Sequence, residues 1–107
     1  MKEITFYSRF EKDILEHKKT ITIRREGDVR VGDMIRVSKH EDGNFFCNIK
    51  ILSVSPIHFS QLNETHAIQE NMTLEQLKNV ISEIYPGLLD LFLIEFILID
   101  CEDKKNK

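Results

Sequence analysis

The spacing of hydrophobic and polar residues predicts a protein built mainly from short β-strands. Five segments are β-prone, and most of them alternate with the period of two that places one side chain in the core and the next in solvent. They are Ile4–Tyr7, Lys19–Arg24, Met34–Lys39, Phe45–Val54 and Leu91–Ile99. A short strand near Ile57–Phe59 and then a loop or broken helix to Glu70 are also expected. Gly27-Asp28, Gly32-Asp33 and Asp42-Gly43 are turn signals between strands.

Two other segments carry helix signals. Ser8-Arg9-Phe10-Glu11 has the form of a capping box, in which a hydroxyl and a carboxylate three residues later satisfy the first free amides of a helix. This helix is expected to end near His17–Lys18. Thr73-Leu74-Glu75-Gln76 repeats the motif before an apolar stripe of helical spacing, and Pro86-Gly87 predicts where that second helix stops.

The order of these elements predicts the fold class. It lacks the regular strand–helix–strand alternation of a parallel sheet. We therefore predict an α+β protein, in which a small mixed sheet curls into a β-barrel with two flanking helices. A chain of 107 residues predicts a single domain, 1–107, with a charged tail frayed over about 102–107.

Composition narrows the class of protein. The chain is 41% hydrophobic and 31% charged, which is typical of a soluble globular protein. It has no apolar run of the roughly 18 residues that cross a bilayer and no signal-peptide pattern at its start, so we predict a cytoplasmic protein without a membrane partner. Cys47 and Cys101 form no CxxC pair; we expect Cys47 to be buried, Cys101 to be exposed, and no disulfide.

Charge is unevenly distributed along the chain. The net charge is −3, yet residues 17–40 contain seven basic and three acidic residues, which leaves a net −7 elsewhere. A locally basic segment can attract a phosphate or a nucleoside ligand. The same charges are equally typical of solvated strand faces, so charge alone does not decide between these interpretations.

Common cofactor and catalytic motifs are absent from the sequence. There is no Walker loop, no GxGxxG and no GxSxG. His17, His40, His58 and His66 lack zinc-ligand spacing, and the pair His66 and Glu70 lacks a third ligand. We therefore predict no metal and no cofactor, and any catalysis must come from side chains alone.

Two polar clusters are candidates for that chemistry. In Lys19–Arg24, a threonine hydroxyl can act as a nucleophile if a lysine of depressed pKa takes its proton, and Arg24 could depress that pKa or stabilise an oxyanion. In His66–Met72, a desolvated glutamic acid could act as a general acid. Solvated polar residues at the end of a strand and before a helix give the same two patterns. Sequence spacing alone does not show that the two clusters are close in space.

A family resemblance connects the two clusters. Between about Ile4 and Phe96 the sequence resembles the small bacterial N4-acetylcytidine amidohydrolases of the ASCH superfamily. The resemblance is carried by Ile4–Phe6, Arg9-Phe10, Asp13–Leu15, Lys19–Arg24, His66-Ala67, Gln69–Leu74 and Ile84–Gly87. The lysine–threonine strand is shared loosely across ASCH domains. The Gln-Glu-Asn-Met-Thr and Ile-Tyr-Pro-Gly runs are much more specific to this subgroup.

The resemblance implies a PUA-like β-barrel and metal-free hydrolysis of N4-acetylcytidine to cytidine and acetate. It implies Thr22 as nucleophile, Lys19 as base and Glu70 as catalytic acid. The expected substrate-binding residues are Arg24, Thr20, Asn71 and Phe6, with Phe10 and Phe46 as further candidates for stacking on the pyrimidine. His17 stands where close relatives tend to have glycine, and we expect a left-handed residue there at the end of the first helix.

The implied mechanism carries a geometric condition. Residues three apart in a regular strand point to opposite faces, so Lys19 and Thr22 can share a pocket only if the chain bends near Lys19–Ile21 or the lysine wraps round the strand end. The hydroxyl of Thr22 could form an acetyl-enzyme that water then hydrolyses. Alternatively, Lys19 and Thr22 could position a water that attacks directly, and the sequence does not separate the two routes.

Two other functions remain open on sequence grounds. A PUA-like RNA-binding module would fit the basic segment, although RNA binders more often have a basic excess overall. A sensor could bind a modified nucleoside without turnover. We favour the enzyme, with a small-molecule nucleoside as its ligand and RNA as the less favoured ligand. The sequence does not indicate the oligomeric state.

Overall fold

The computed structural model of the protein describes residues 2–101, and the predicted frayed tail lies outside them. The strands are β1 (Lys2–Phe6), β2 (Ile21–Arg24), β3 (Met34–Lys39), β4 (Phe45–His58) and β5 (Asp90–Asp100). The α-helices are α1 (Glu11–Leu15), α2 (Glu64–Gln69) and α3 (Leu74–Ile84), and 3-10 turns occupy Ser8–Phe10 and Phe59–Gln61. None of the helices over residues 2–101 is long and apolar enough to cross a membrane.

The five strands form one mixed sheet, as predicted, but over residues 2–101 this sheet does not close into a barrel. The strand order is β1-β3-β4-β5-β2, with β1 parallel to β3 and every other neighbouring pair antiparallel. β1 and β2 are therefore the two edges, and over residues 2–101 no backbone pairing joins them. A side chain spans the gap instead, because Nη2 of Arg24 donates to the carbonyl oxygen of Thr5 at 2.6 Å.

β4 is longer than the predicted strand, which was expected to end at Val54. It continues to His58 and includes most of the segment expected as a separate strand near Ile57–Phe59. Pro56 lies inside it without breaking it. Proline is tolerated because β3 pairs only with the first part of β4, Phe45–Lys50, so this half of β4 has a neighbour on one side alone.

The capping box predicted at Ser8 is not formed. Tyr7 precedes the 3-10 turn with no side-chain cap, and α1 begins only at Glu11. The amide and the hydroxyl of Ser8 both donate to the carboxylate of Glu41 in the β3–β4 hairpin, each at 2.9 Å. Glu41, 33 residues away in sequence, thus takes the place of Glu11, the predicted local partner of Ser8. The hydrogen bonds from Ser8 lower the pKa of the Glu41 carboxyl.

The second predicted capping box is confirmed, and one more helix is present than expected. The hydroxyl of Thr73 accepts from the amide of Gln76, whose side chain accepts from the amide of Thr73 in return. Before it, where a loop or broken helix was expected, α2 is capped by Asn63. α2 matters for function because it ends directly before Glu70.

The end of α1 has the geometry that the sequence predicted at His17. Its φ is +61°, in the left-handed region. The amide of Lys18 donates to the carbonyl of Asp13 at 2.8 Å, and that of His17 donates to Ile14 at 3.1 Å, which together form a Schellman motif. This turn directs the chain into the segment that carries Lys19.

We expect His17→Gly to stabilise the protein. Glycine adopts positive φ without the steric cost that a Cβ imposes, so the free energy of unfolding should rise by about 1 kcal/mol. Urea denaturation measures the change. His40→Gly is the matched control, because it removes an exposed imidazole where φ is not positive, and it should not stabilise. An unchanged or lower stability of His17→Gly would contradict the expectation.

Two apolar clusters form the core. One packs α1 against the sheet and includes Phe6, Phe10 and Cys47; the other packs α2 and α3 against β2 and β5 and includes Leu77 and Ile81. Cys47 is fully buried and Cys101 is exposed, both as free thiols, which agrees with the sequence prediction. Burial raises the pKa of Cys47 to about 12. The candidate site lies where the two clusters meet.

Candidate active site

A cavity of about 270 Å³ opens between the edge strands and α3. On the sheet side it is bordered by Phe6, Thr22 and Arg24, and on the helix side by an apolar wall of Leu77, Val80, Ile81, Ile84 and Tyr85. Lys19, Thr22 and Glu70 are the buried polar residues of the lining, each at most 5% exposed. His40 is exposed and Tyr7 half-buried, so these two lie toward the mouth.

Lys19 and Glu70, 51 residues apart, meet at the buried end of the cavity. Nζ of Lys19 donates to Oε1 of Glu70, and both side chains are almost fully shielded from water. A backbone hydrogen bond holds the two segments together, because the amide of Thr20 donates to the carbonyl of Gln69 at 2.8 Å. The two polar clusters of the sequence are therefore one cluster in space.

Lys19 lies outside the regular strand that contains Thr22. β2 begins at Ile21 and not at Lys19 as predicted, and the amide of Lys19 bonds to the carbonyl of Asp13 at the end of α1. The period-two rule therefore does not govern Lys19. Thr22 and Arg24 are two apart within β2 and share a face, so all three side chains border one cavity.

The electrostatics of the cavity suit a lysine that gives up its proton. The pKa of Lys19 is lowered from its ordinary 10.5 to about 7, first by burial and then by the positive charge of Arg24, while Asp13 opposes the shift. Burial likewise lowers the pKa of Arg24, and Tyr85 and Asp28 oppose this. The ring of Phe6 lies 5.5 Å from Nζ of Lys19 and 4.8 Å from Cζ of Arg24, which offsets part of the cost of burying two cations.

One N–H group of Arg24 has no hydrogen-bond acceptor among the described residues. Its Nη2 bridges to β1, but its Nε is buried and has no hydrogen-bond partner among residues 2–101. An unsatisfied buried N–H costs about 1–3 kcal/mol, so an acceptor that enters the cavity would gain from meeting it. A carbonyl or oxyanion oxygen is such an acceptor.

Not every residue expected to bind substrate lies in the cavity. Phe6 and Phe10 border it, whereas Thr20 and Asn71 do not belong to its lining and Phe46 lies in the core. Thr20 acts through its backbone, and the side chain of Asn71 donates to Oδ1 of Asp13 at 3.0 Å while its φ is +57°. Thr20 and Asn71 support the turns that carry Lys19 and Glu70.

Sequence patterns missed the residues around the mouth. Tyr7 and His40 have their ring centroids 4.7 Å apart, and Nδ1 of His40 lies 3.5 Å from Oγ1 of Thr5. His40 belongs to a hairpin and had no signal of its own. Tyr85 does have a sequence signal, because it lies in the Ile84–Gly87 run that carries the resemblance, but the sequence does not indicate its role.

The arrangement suits acyl transfer by side chains. An amine, a hydroxyl, a carboxyl and a guanidinium surround one cavity, which are the parts needed for a nucleophile, a base, an acid and an oxyanion donor. Over the described range 2–101, no group of three or more His, Cys, Asp or Glu residues could hold a metal ion. His66 instead accepts from the amide of Asn63 at the start of α2.

Comparison with known proteins gives several relatives at 50–59% identity that share one name. The N(4)-acetylcytidine amidohydrolase of Serratia proteamaculans is 57% identical over 97 residues, 89% of this chain and 95% of the relative. The proteins of the same name from Vibrio vulnificus and Cronobacter sakazakii are 59% and 50% identical over 96 residues, 88% of this chain and 92% of each relative. This chain belongs to the N(4)-acetylcytidine amidohydrolase family. No family model matches it.

Solved structures place this member of the amidohydrolase family among ASCH folds. The ASCH domain of Lactobacillus crispatus superposes with a TM-score of 0.72 at 21% identity, covering 92% of this chain and 80% of that one. The ASCH protein of Zymomonas mobilis gives 0.69 at 17% identity, covering 94% and 67%. A protein of Enterococcus faecalis gives 0.77 at 14% identity, covering 99% and 80%. The resemblance inferred from sequence is confirmed.

Proposed function

We propose that this protein hydrolyses N4-acetylcytidine to cytidine and acetate, the activity named for its relatives at 50–59% identity. The observation that carries the proposal is the buried Lys19–Glu70 contact, which borders the same cavity as Thr22. A buried amine and a buried carboxyl in contact beside a hydroxyl can serve as the base, the acid and the nucleophile of amide cleavage.

Lys19 is the base, Thr22 the nucleophile and Glu70 the acid in this proposal. The neutral amine of Lys19 takes the proton of the Thr22 hydroxyl as its oxygen attacks the acetyl carbonyl. Glu70 gives a proton to the exocyclic nitrogen as the C–N bond breaks, and cytidine leaves. Water then attacks the acetyl group on Thr22 as Glu70, now a carboxylate, takes a proton from it. Lys19 returns its proton to the Thr22 oxygen as the C–O bond breaks, so the hydroxyl is restored and acetic acid leaves and ionises to acetate.

The contact between Lys19 and Glu70 prepares both groups for these steps. A single proton shared by the pair can lie on the amine, which gives two charges, or on the carboxyl, which gives none. Burial favours the uncharged arrangement because isolated charges are poorly solvated there. That arrangement is the reactive one, a free amine beside a protonated acid, and it forms without exchange with solvent.

Arg24 supplies the oxyanion contact through Nε. This N–H has no protein partner among the described residues, whereas Nη2 is engaged with Thr5 and holds the guanidinium in place. A donor fixed before reaction costs no reorganisation when charge develops on the carbonyl oxygen. Thr22 and Arg24 lie on one face of β2, so the attacking oxygen and the N–H face the same space.

The direct test is to incubate the EDTA-treated protein with N4-acetylcytidine and to follow cytidine and acetate by chromatography. We expect catalytic turnover, with one acetate formed per cytidine. Absence of turnover by a folded protein would overturn the proposed function. Binding without turnover would then indicate a nucleoside sensor, and RNA affinity that falls steeply with salt would indicate an RNA-binding module.

The pH dependence of kcat/KM tests Lys19 as the base. Since the pKa of Lys19 is about 7, kcat/KM should rise about tenfold per pH unit below 7 and then level off as the amine becomes neutral. Arg24→Met removes a charge that lowers this pKa, so the midpoint of its rising limb should move to higher pH. A profile that is flat across pH 7 would exclude Lys19 as the base.

Three finer points belong to the same proposal. We place the protein in the cytoplasm, where free thiols such as Cys47 and Cys101 are usual. We take the chain as a single ASCH domain and the sheet as PUA-like, since Arg24 links its two edge strands although backbone pairing does not. The thermal stability of Arg24→Met tests that link.

A further inference from the structure

The aromatic rings of the cavity are not equally available to a ligand. Phe6 lies against Lys19 and Arg24, and its ring centroid is 6.0 Å from that of Phe96. Phe10 lies between Lys19 at 4.9 Å and Arg9 at 5.1 Å. A ring that already neighbours cations and other side chains offers little free face to a pyrimidine.

Tyr7 is engaged as well. Its ring contacts the imidazole of His40, with centroids 4.7 Å apart, and the guanidinium of Arg9 lies 5.3 Å from its centroid. Tyr85 is the fourth aromatic residue of the lining. Among the described residues no aromatic ring or cation is found stacked on the ring of Tyr85, although it packs against the apolar cluster that includes Leu77 and Ile81. Of the four rings it is therefore the one without an aromatic or cationic neighbour on its face.

The position of Tyr85 is fixed by the end of α3. Its amide donates to the carbonyl of Ile81 at 2.8 Å, and its carbonyl accepts from the amide of Leu88 at 3.1 Å. The half-buried ring continues the apolar wall formed by α3 and faces the gap that Arg24 spans. A flat ligand in the cavity would therefore have an ordered aromatic surface beside it.

We propose that Tyr85 is the residue on which the pyrimidine ring of the substrate stacks, an inference that rests on the proposed function for its choice of ligand. The exocyclic nitrogen and the ribose leave the pyrimidine at opposite positions, C4 and N1. With the acetyl group at the buried Lys19–Glu70 end, the ribose points to the mouth and the base lies between, beside Tyr85. Phe6, expected from sequence to bind substrate, instead supports Lys19 and Arg24.

The kinetic test compares Tyr85→Leu with Tyr85→Phe. Loss of base stacking should raise KM for N4-acetylcytidine about tenfold in Tyr85→Leu with little change in kcat, because stacking acts equally on substrate and transition state. Tyr85→Phe keeps the ring and should retain a KM near that of the wild type. Phe45→Leu is the matched control and should change neither constant, because Phe45 is half-buried beside Arg36 and does not line the cavity.

A binding test does not depend on turnover. The sequence contains no tryptophan, so Tyr85→Trp introduces the sole indole of the protein. The product cytidine is the probe, and stacking should quench the indole fluorescence in a saturable way. Phe45→Trp places the indole outside the cavity and should show no saturable change.

These measurements separate the inference from the proposed function. Saturable quenching at position 85 supports Tyr85 stacking even if no acetate is formed. Turnover by a folded Tyr85→Leu with unchanged KM, or no quenching by cytidine in Tyr85→Trp, would overturn the stacking role and leave the hydrolase proposal intact. A rise in KM that Tyr85→Phe shares equally would also overturn it, because the hydroxyl and not the ring would then be responsible.

Discussion

Lys19→Met should lower turnover of N4-acetylcytidine by about 10²–10⁴-fold, the usual contribution of a positioned base. It should also destabilise the fold, because it leaves the buried carboxyl of Glu70 without its hydrogen-bond partner. Leaving a buried polar group unsatisfied costs about 1–3 kcal/mol. Urea denaturation of the variant should show this loss.

A double variant separates the two effects. Replacing both partners of a buried hydrogen-bonded pair by apolar residues of similar volume is often neutral or stabilising. Lys19→Met with Glu70→Leu should therefore recover the free energy of unfolding lost in Lys19→Met, while turnover stays absent. Lys18→Met is the matched control, because Lys18 is 55% exposed and its ion pair with Glu16 lies at the surface. Turnover by the double variant would disprove the assigned roles of Lys19 and Glu70.

The elements that could be predicted are those whose signals are periodic and local. β3, β5 and α3 follow from alternation, from an apolar run and from the Thr73 capping box. The errors arise where a distant partner decides the local structure. Ser8 forms its bonds with Glu41, 33 residues away, and Pro56 remains in a strand because β3 does not extend beside it. Neither partner is visible in a window of neighbouring residues.

In the candidate site, too, the residue types follow from the sequence, whereas their arrangement depends on partners distant in sequence. The sequence predicts Lys19, Thr22, Arg24 and Glu70 as site residues, but only the family resemblance connects them. The bond from Thr20 to Gln69 and the bend after α1 bring them together in space, and both are tertiary features. Tyr85 lies within the Ile84–Gly87 run that carries the resemblance. Its proposed role depends on which other rings of the cavity already have aromatic or cationic neighbours, and this follows only from the three-dimensional structure.

Thr22→Val should abolish turnover, with a loss on the order of 10³-fold or more by the scale seen when nucleophiles are removed from other enzymes. Valine keeps the shape of threonine and removes the hydroxyl, and Thr22 is 5% exposed, so no solvent hydroxyl replaces it readily. Thr22→Ser keeps the nucleophile and should retain measurable turnover. Thr65→Val, at an exposed position of α2, is the control and should match the wild type.

A route through an acetyl-enzyme on Thr22 predicts a product ratio that direct attack by water does not predict. N4-acetylcytidine and N4-acetylcytosine would give the same acetyl-Thr22, so methanol added to the assay should divide both substrates into methyl acetate and acetate in one common ratio. A ratio that depends on the leaving group would mean that the solvent nucleophile attacks while cytidine or cytosine is still attached. In that case Thr22 positions water, and the loss of turnover in Thr22→Val would reflect a misplaced water rather than a missing nucleophile.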